Sequence, residues 1–125
     1  MVSKSFSSIG FVGLGNMGRP MANRLKEQFQ VIVHDVNAEN LKGHPRKAKN
    51  IKDLCEQSEV IITMLPNGNV VNDVYCGEGG LLERATSGTC FIDCSTIEFE
   101  IAKYIHAKSL SSGYMMLDAP VSGGI

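Results

Sequence analysis

Short apolar runs alternate along the chain with stretches whose apolar residues recur every three or four positions. Residues 8–13 form such a run, ending in glycines, and the stretch 16–29 then places Met17, Met21, Leu25 and Phe29 on one helical stripe. This predicts a strand, a tight turn and a helix that begins near Asn16, with Pro20 close to the first turn, where a missing N–H costs little. The pattern repeats. It predicts strands over 31–35, 60–65, 89–93 and 114–118, and helices over 51–57, 70–75 and 97–110, with a glycine-rich turn at 77–80. Near-continuous apolar strands separated by helices predict a parallel sheet covered on both faces, hence an α/β fold. Residues 36–50 break the rhythm. A third strand is expected there, yet the segment 43–50 (Gly-His-Pro-Arg-Lys-Ala-Lys-Asn) has no apolar core to make one.

Composition narrows the picture without changing it. The chain has 125 residues, 12 Lys+Arg, 13 Asp+Glu and a formal net charge of −1, with 43% hydrophobic residues, which fits one soluble globular domain spanning 1–125. Without a Lys/Arg block of the size that polyanions require, nucleic acid and anionic membranes are not expected as partners. No apolar run nears the roughly 20 residues that span a bilayer. The residues ahead of the first strand are too few for a signal or transit peptide, so targeting is not readable. Cys55, Cys76, Cys90 and Cys94 follow neither a redox-pair nor a zinc spacing, and are read as free thiols in a reducing compartment. His34, His44 and His106 lack metal-ligand spacing and are read as ordinary surface or strand residues. No metal site is expected.

The chemistry concentrates at strand ends. Gly13-Leu14-Gly15-Asn16-Met17-Gly18 is a G-x-G-x-x-G that follows a strand, opens a helix and precedes an acidic residue, Asp35, at the end of the next strand. In that context it predicts dinucleotide binding. Gly13 makes the turn, Gly15 admits a pyrophosphate, Gly18 lets helix and strand pack, and the free N–H groups at the helix start bind phosphate. Asp35 accepts from the adenosine ribose hydroxyls. With Val36 and Asn37 beside it and no Arg to receive a 2′-phosphate, NAD is favoured over NADP. Two further strand ends, Met64-Leu65-Pro66-Asn67 and Asp93-Cys94-Ser95-Thr96-Ile97, are placed to line the same crevice. Asn67, Ser95 or Thr96 serve equally well as helix caps. In the final segment, Asp118-Ala-Pro-Val-Ser122-Gly123-Gly124, the hydroxyl and glycine N–H groups suit a carboxylate, although Gly-Gly is also a common turn.

Taken together, the stretch 11–25, Ile62-Thr-Met-Leu-Pro66, Asp93-Cys-Ser-Thr-Ile97 and Asp118-Ala-Pro-Val-Ser-Gly-Gly124 resemble the four motifs of the β-hydroxyacid dehydrogenases, above all their 3-hydroxyisobutyrate branch, in order and spacing over the whole chain. The resemblance implies a Rossmann-type, doubly wound, mostly parallel sheet. It implies NAD contacts at Gly13, Leu14, Gly15, Asn16, Met17, Gly18, Asp35, Val36, Leu65, Pro66, Val70 and Thr96. Contacts to a substrate carboxylate are implied at Ser122, Gly123 and Gly124. The implied reaction is NAD-dependent oxidation of the small hydroxyacid 3-hydroxyisobutyrate to methylmalonate semialdehyde, a step of valine degradation. The family continues with further strands, a helix bearing the catalytic Lys and an all-helical domain, and no Lys of this chain fits that role; the chain alone is therefore expected to be inactive, and the complete enzyme a homo-oligomer. The family's compartment is the mitochondrial matrix in eukaryotes and the cytoplasm otherwise. Departures are Cys94 in place of Ser, Phe99 in place of Pro, Gln28 in place of Gly and a short 35–66 segment. A non-catalytic NAD-binding module, or a glyoxylate or tartronate semialdehyde reductase, is the alternative.

Overall fold

The computed structural model describes residues 6–121. Five parallel strands form one sheet: β1 (Ser8–Val12), β2 (Gln30–His34), β3 (Val60–Thr63), β4 (Cys90–Asp93) and β5 (Met115–Asp118), in the spatial order β2-β1-β3-β4-β5. Between them run α1 (Gly18–Leu25), α2 (Ile51–Glu56), α3 (Gly68–Cys76), α4 (Leu81–Arg84) and α5 (Phe99–Ser111), with a short 3-10 turn at Ala38–Leu41. The parallel α/β architecture expected from the apolar pattern, doubly wound as the resemblance implies, is the one found.

Alternate residues of each strand feed two cores. Val12, Ile32, Ile61 and Phe91 pack with Leu54, Cys55, Val71, Tyr75, Leu81 and Ile105, so α2 to α5 cover one face. Ile9, Phe11, Val31, Val33, Val60 and Ile62 pack with Leu14 and Ala22, so α1 covers the other. That second face thins toward β5, where Met115 and Leu117 are 64% and 52% exposed. No helix among the described residues is long and apolar enough to cross a membrane.

The third strand does not form. Its place beside β2 holds a single parallel bridge, Val33 to Lys47, closed by Val33 N–H to Arg46 O (3.1 Å) and Ala48 N–H to Val33 O (2.9 Å). Pro45 and the three cations around Ala48 supply no alternating apolar side chains, so pairing stops after one residue. Helix ends also shift. The first helix stops at Leu25, and residues 26–29 tighten into turns through Glu27 N–H to Arg24 O and Gln28 N–H to Leu25 O while Phe29 still packs on the second core. The last helix begins at Phe99 rather than Ile97, and α4 has no counterpart among the expected elements. Four residues are too few for periodicity to register.

Candidate functional site

Strand order reverses direction at β1, with β2 on one side and β3 on the other. In open α/β sheets such a switch point leaves a crevice at the carboxyl ends of the strands. A cleft of about 660 Å³ opens there, within the range that holds cofactors and small ligands. Its wall includes Gly13, Gly15, Asn16, Met17 and Gly18 from the first turn, Asp35 and Val36 from the end of β2, and Leu65, Pro66 and Val70 from β3 and α3. Ten residues singled out from sequence thus come together. Leu14 is buried behind the wall and faces the second core. Thr96 is exposed, outside the cleft wall, its hydroxyl donating to Val121 O at 3.3 Å. Ser122, Gly123 and Gly124 lie outside the described residues.

The loop glycines answer to different constraints. Gly13 has φ +102°, and a Cβ there would sit 2.1 Å from Met64 O; at Gly18 it would sit 1.9 Å from Gly13 O. Both close approaches are required by backbone meeting backbone. At Gly15 a Cβ would meet nothing within 4 Å, because its side faces the open cleft. The space there is open and large enough to admit a ligand. Among the described residues nothing accepts from the N–H groups of Gly15, Asn16 and Met17, while Arg19 N–H already bonds Gly15 O at 3.0 Å. Free donors at the start of α1, beside an open glycine, suit a phosphate oxygen.

Asp35 closes the opposite wall. Its Oδ2 accepts from Leu14 N–H (2.7 Å) and its Oδ1 from Asn37 N–H (2.8 Å). Two backbone donors fix the carboxylate at the rim, and each oxygen keeps a lone pair for a hydroxyl. Val36, beside it, is 94% exposed. His34 also lines the cleft; burial holds its imidazole below the usual range, opposed by the Asp35 charge, and its buried Nδ1 has no hydrogen-bond partner among the described residues. It is a strand residue, one of the two readings that the sequence allows, and it also reaches the cleft. Asn40, Asp73 and the glycine-rich turn at Gly79 and Gly80 join the wall as well. Only the turn left a sequence signal, and it reads as punctuation rather than as a site.

Beneath the cleft floor lies a buried polar network. Thr63 Oγ1 and Ser95 Oγ both donate to Asp93 Oδ1 (2.8 and 2.7 Å), so Tyr75 OH must donate to Thr63 Oγ1 (2.8 Å). Ser95 Oγ in turn accepts from Leu65 N–H at 2.8 Å, pinning the end of β3 where Leu65 meets the cleft. Ser95 thus ties two strand ends together, whereas Asn67 caps α3 by accepting from Val70 N–H at 3.0 Å. Burial raises the Asp93 carboxyl above its usual range, against its hydrogen bonds. Cys55, Cys76, Cys90 and Cys94 are free thiols; burial pushes Cys55 up to about 11, which leaves it unreactive at neutral pH. The described residues hold no group of three or more metal-ligating side chains.

Residues 8–125 match the family described as the NAD binding domain of 6-phosphogluconate dehydrogenase. The chain is 42% identical to a 3-hydroxyisobutyrate dehydrogenase of Pseudomonas aeruginosa, over 95% of this chain and 42% of that protein. It is 40% identical to an NAD-dependent L-serine dehydrogenase of the same organism, over 93% of this chain and 41% of that protein. Among solved structures it is similar to the 3-hydroxyisobutyrate dehydrogenase of Mycobacterium tuberculosis with L-serine: TM-score 0.85, 38% identity, 96% of this chain and 42% of that one. The chain therefore spans about two fifths of the length of these relatives. A parallel sheet with a glycine loop at its switch point, an acidic rim at the end of β2 and a match over nearly the whole sequence lead to one conclusion: the chain belongs to the family of the NAD binding domain of 6-phosphogluconate dehydrogenase.

Proposed function

We propose that this chain is the NAD-holding part of a dehydrogenase that oxidises a short 3-hydroxy acid, with 3-hydroxyisobutyrate as the substrate. The observation that carries the cofactor reading is the fixed Asp35 carboxylate facing the open Gly15 across the cleft rim. In this reading the N–H groups of Gly15, Asn16 and Met17 bind the pyrophosphate, Asp35 takes the adenosine ribose hydroxyls, and Val36, Leu65, Pro66 and Val70 line the remainder. Leu14 contributes indirectly, through the N–H that holds Asp35. Bound NAD supplies the hydride acceptor. A 2′-phosphate beside Asp35 would meet like charge and, at Val36 and Asn37, no cation.

The substrate reading rests on the relatives. One acts on 3-hydroxyisobutyrate by its name, another on L-serine, and the mycobacterial structure joins the two names. Both molecules are a primary alcohol on a carbon that bears a carboxylate, and they differ in a methyl against an ammonium group. L-Serine is therefore the second reading. Ser122, Gly123 and Gly124 hold the shared carboxylate in either case, and Thr96 closes the nicotinamide end.

Calorimetric titration with NAD and NADP tests the cofactor reading. NAD is expected to bind at least about tenfold more tightly, the size of one lost charge-compatible contact. Asp35→Ala combined with Val36→Arg should narrow or reverse the ratio. Equal binding of both cofactors by the parent would overturn the assignment.

A further inference from the structure

The adenosine side of the cleft is built on a poorly anchored segment. Residues 36–43 contribute no buried apolar side chain, form no strand, and hold only a four-residue 3-10 turn, yet Val36 and Asn40 within it form cleft wall. Leu41 reaches the second core as a partly buried contact. Among the described residues, Arg19 is the side chain whose hydrogen bonds cross to this segment at several points. Its Nη2 donates to Asn40 O, and its Nη1 lies 3.5 Å from Lys42 O and 3.2 Å from His44 Nε2. The same residue closes the glycine turn from behind, through its N–H on Gly15 O.

We infer that Arg19 is the positioning residue of the adenosine pocket: its guanidinium clamps residues 40–44 to the start of α1 and so sets the distance between the glycine loop and the wall that carries Asp35, Val36 and Asn40. A planar fork of donors suits this role because one rigid group satisfies several acceptors at once; a lysine ammonium presents a point charge instead. His44 is buried and lies in no strand, contrary to its reading as an ordinary surface or strand residue, and it completes the clamp. Lys26 Nζ stands 3.4 Å from its Nδ1, and burial, then the charges of Lys26, Arg19 and Lys47, lowers the pKa of the ring. A guanidinium can only donate, so in the contact with Arg19 Nε2 is the acceptor nitrogen of the ring. Three of the five guanidinium donors of Arg19 are thus directed at residues 40–44, and the inference rests on the reading of this cleft as the NAD site.

The test compares the parent chain with Arg19→Ala and Arg19→Lys by titration with NAD, AMP and nicotinamide mononucleotide, alongside amide hydrogen exchange. Arg19→Ala should bind AMP and NAD about tenfold more weakly, the scale of a charge-assisted hydrogen bond, with nicotinamide mononucleotide unchanged. Arg19→Lys should fall between. Exchange should accelerate at residues 40–44 and stay as in the parent through β1 and β3. Unchanged AMP binding, equal loss at both half-ligands, or unchanged exchange at 40–44 would each overturn the clamp. If the parent binds neither NAD nor AMP, the cofactor reading fails, and the exchange data alone then decide whether Arg19 holds the segment.

Discussion

Adding a methyl group separates the loop glycines by what surrounds them. At Gly18 the new atom meets Gly13 O, so Gly18→Val forces helix and strand apart and should cost about 1 to 3 kcal/mol of stability. At Gly15 it meets only open cleft, and φ is not positive, so Gly15→Val should melt like the parent. It should nevertheless lose NAD affinity by more than about a hundredfold, because the isopropyl group takes the pyrophosphate's place. Calorimetry and thermal melts read the two effects separately. A Gly15→Val chain that binds NAD as the parent does would make the loop a packing turn. At this scale the sequence was most informative where backbone geometry demanded one residue type. It was silent on His34 and Asn40, since an imidazole or an amide carries no spacing signature of its own and each reached the cleft through the path of the chain around it.

At the scale of elements, the polar floor joins β3, β4 and α3 through Asp93, Thr63, Ser95 and Tyr75. Burial raises the Asp93 pKa, so the folded chain holds that proton more tightly than the unfolded chain does. Its contribution to stability is therefore complete below the ordinary value of 3.8 and is lost as pH rises through the folded value. Asp93→Asn keeps an acceptor at Oδ1 and removes the titration. Denaturant unfolding of both chains from pH 3.5 to 7, values set about the ordinary carboxylate pKa, should show the parent losing stability relative to Asp93→Asn as pH rises. A constant difference would show that the carboxyl titrates as it does in the unfolded chain. Strands were legible because each is a short apolar run, covered on both faces in the centre of the sheet and on one face at β5. The segment 36–50 was legible only as a gap, and what fills it, a one-residue bridge and an arginine clamp, depends on contacts between residues far apart in sequence.

For the whole molecule, the strand order places the glycine loop, the acidic rim and the end of β3 around one cleft, which no single motif specifies. Among the described residues the cleft wall carries no lysine, the residue type to which the resemblance to the β-hydroxyacid dehydrogenases assigns the base. A positioned general acid or base contributes roughly 10² to 10⁴ in rate. The 125-residue chain is therefore expected to bind NAD without producing NADH from 3-hydroxyisobutyrate or L-serine, as followed by NADH absorbance. Steady turnover by the pure chain would place the base within these residues. Occupation of this cleft by NAD is read residue by residue from amide chemical shifts during NAD titration. The largest changes are expected at Gly15, Asn16, Asp35, Val36 and Leu65, and none around Ser58 and Gly88 in the depression at the opposite end of the sheet. Shifts confined to that depression, or no shifts at saturating NAD, would contradict it.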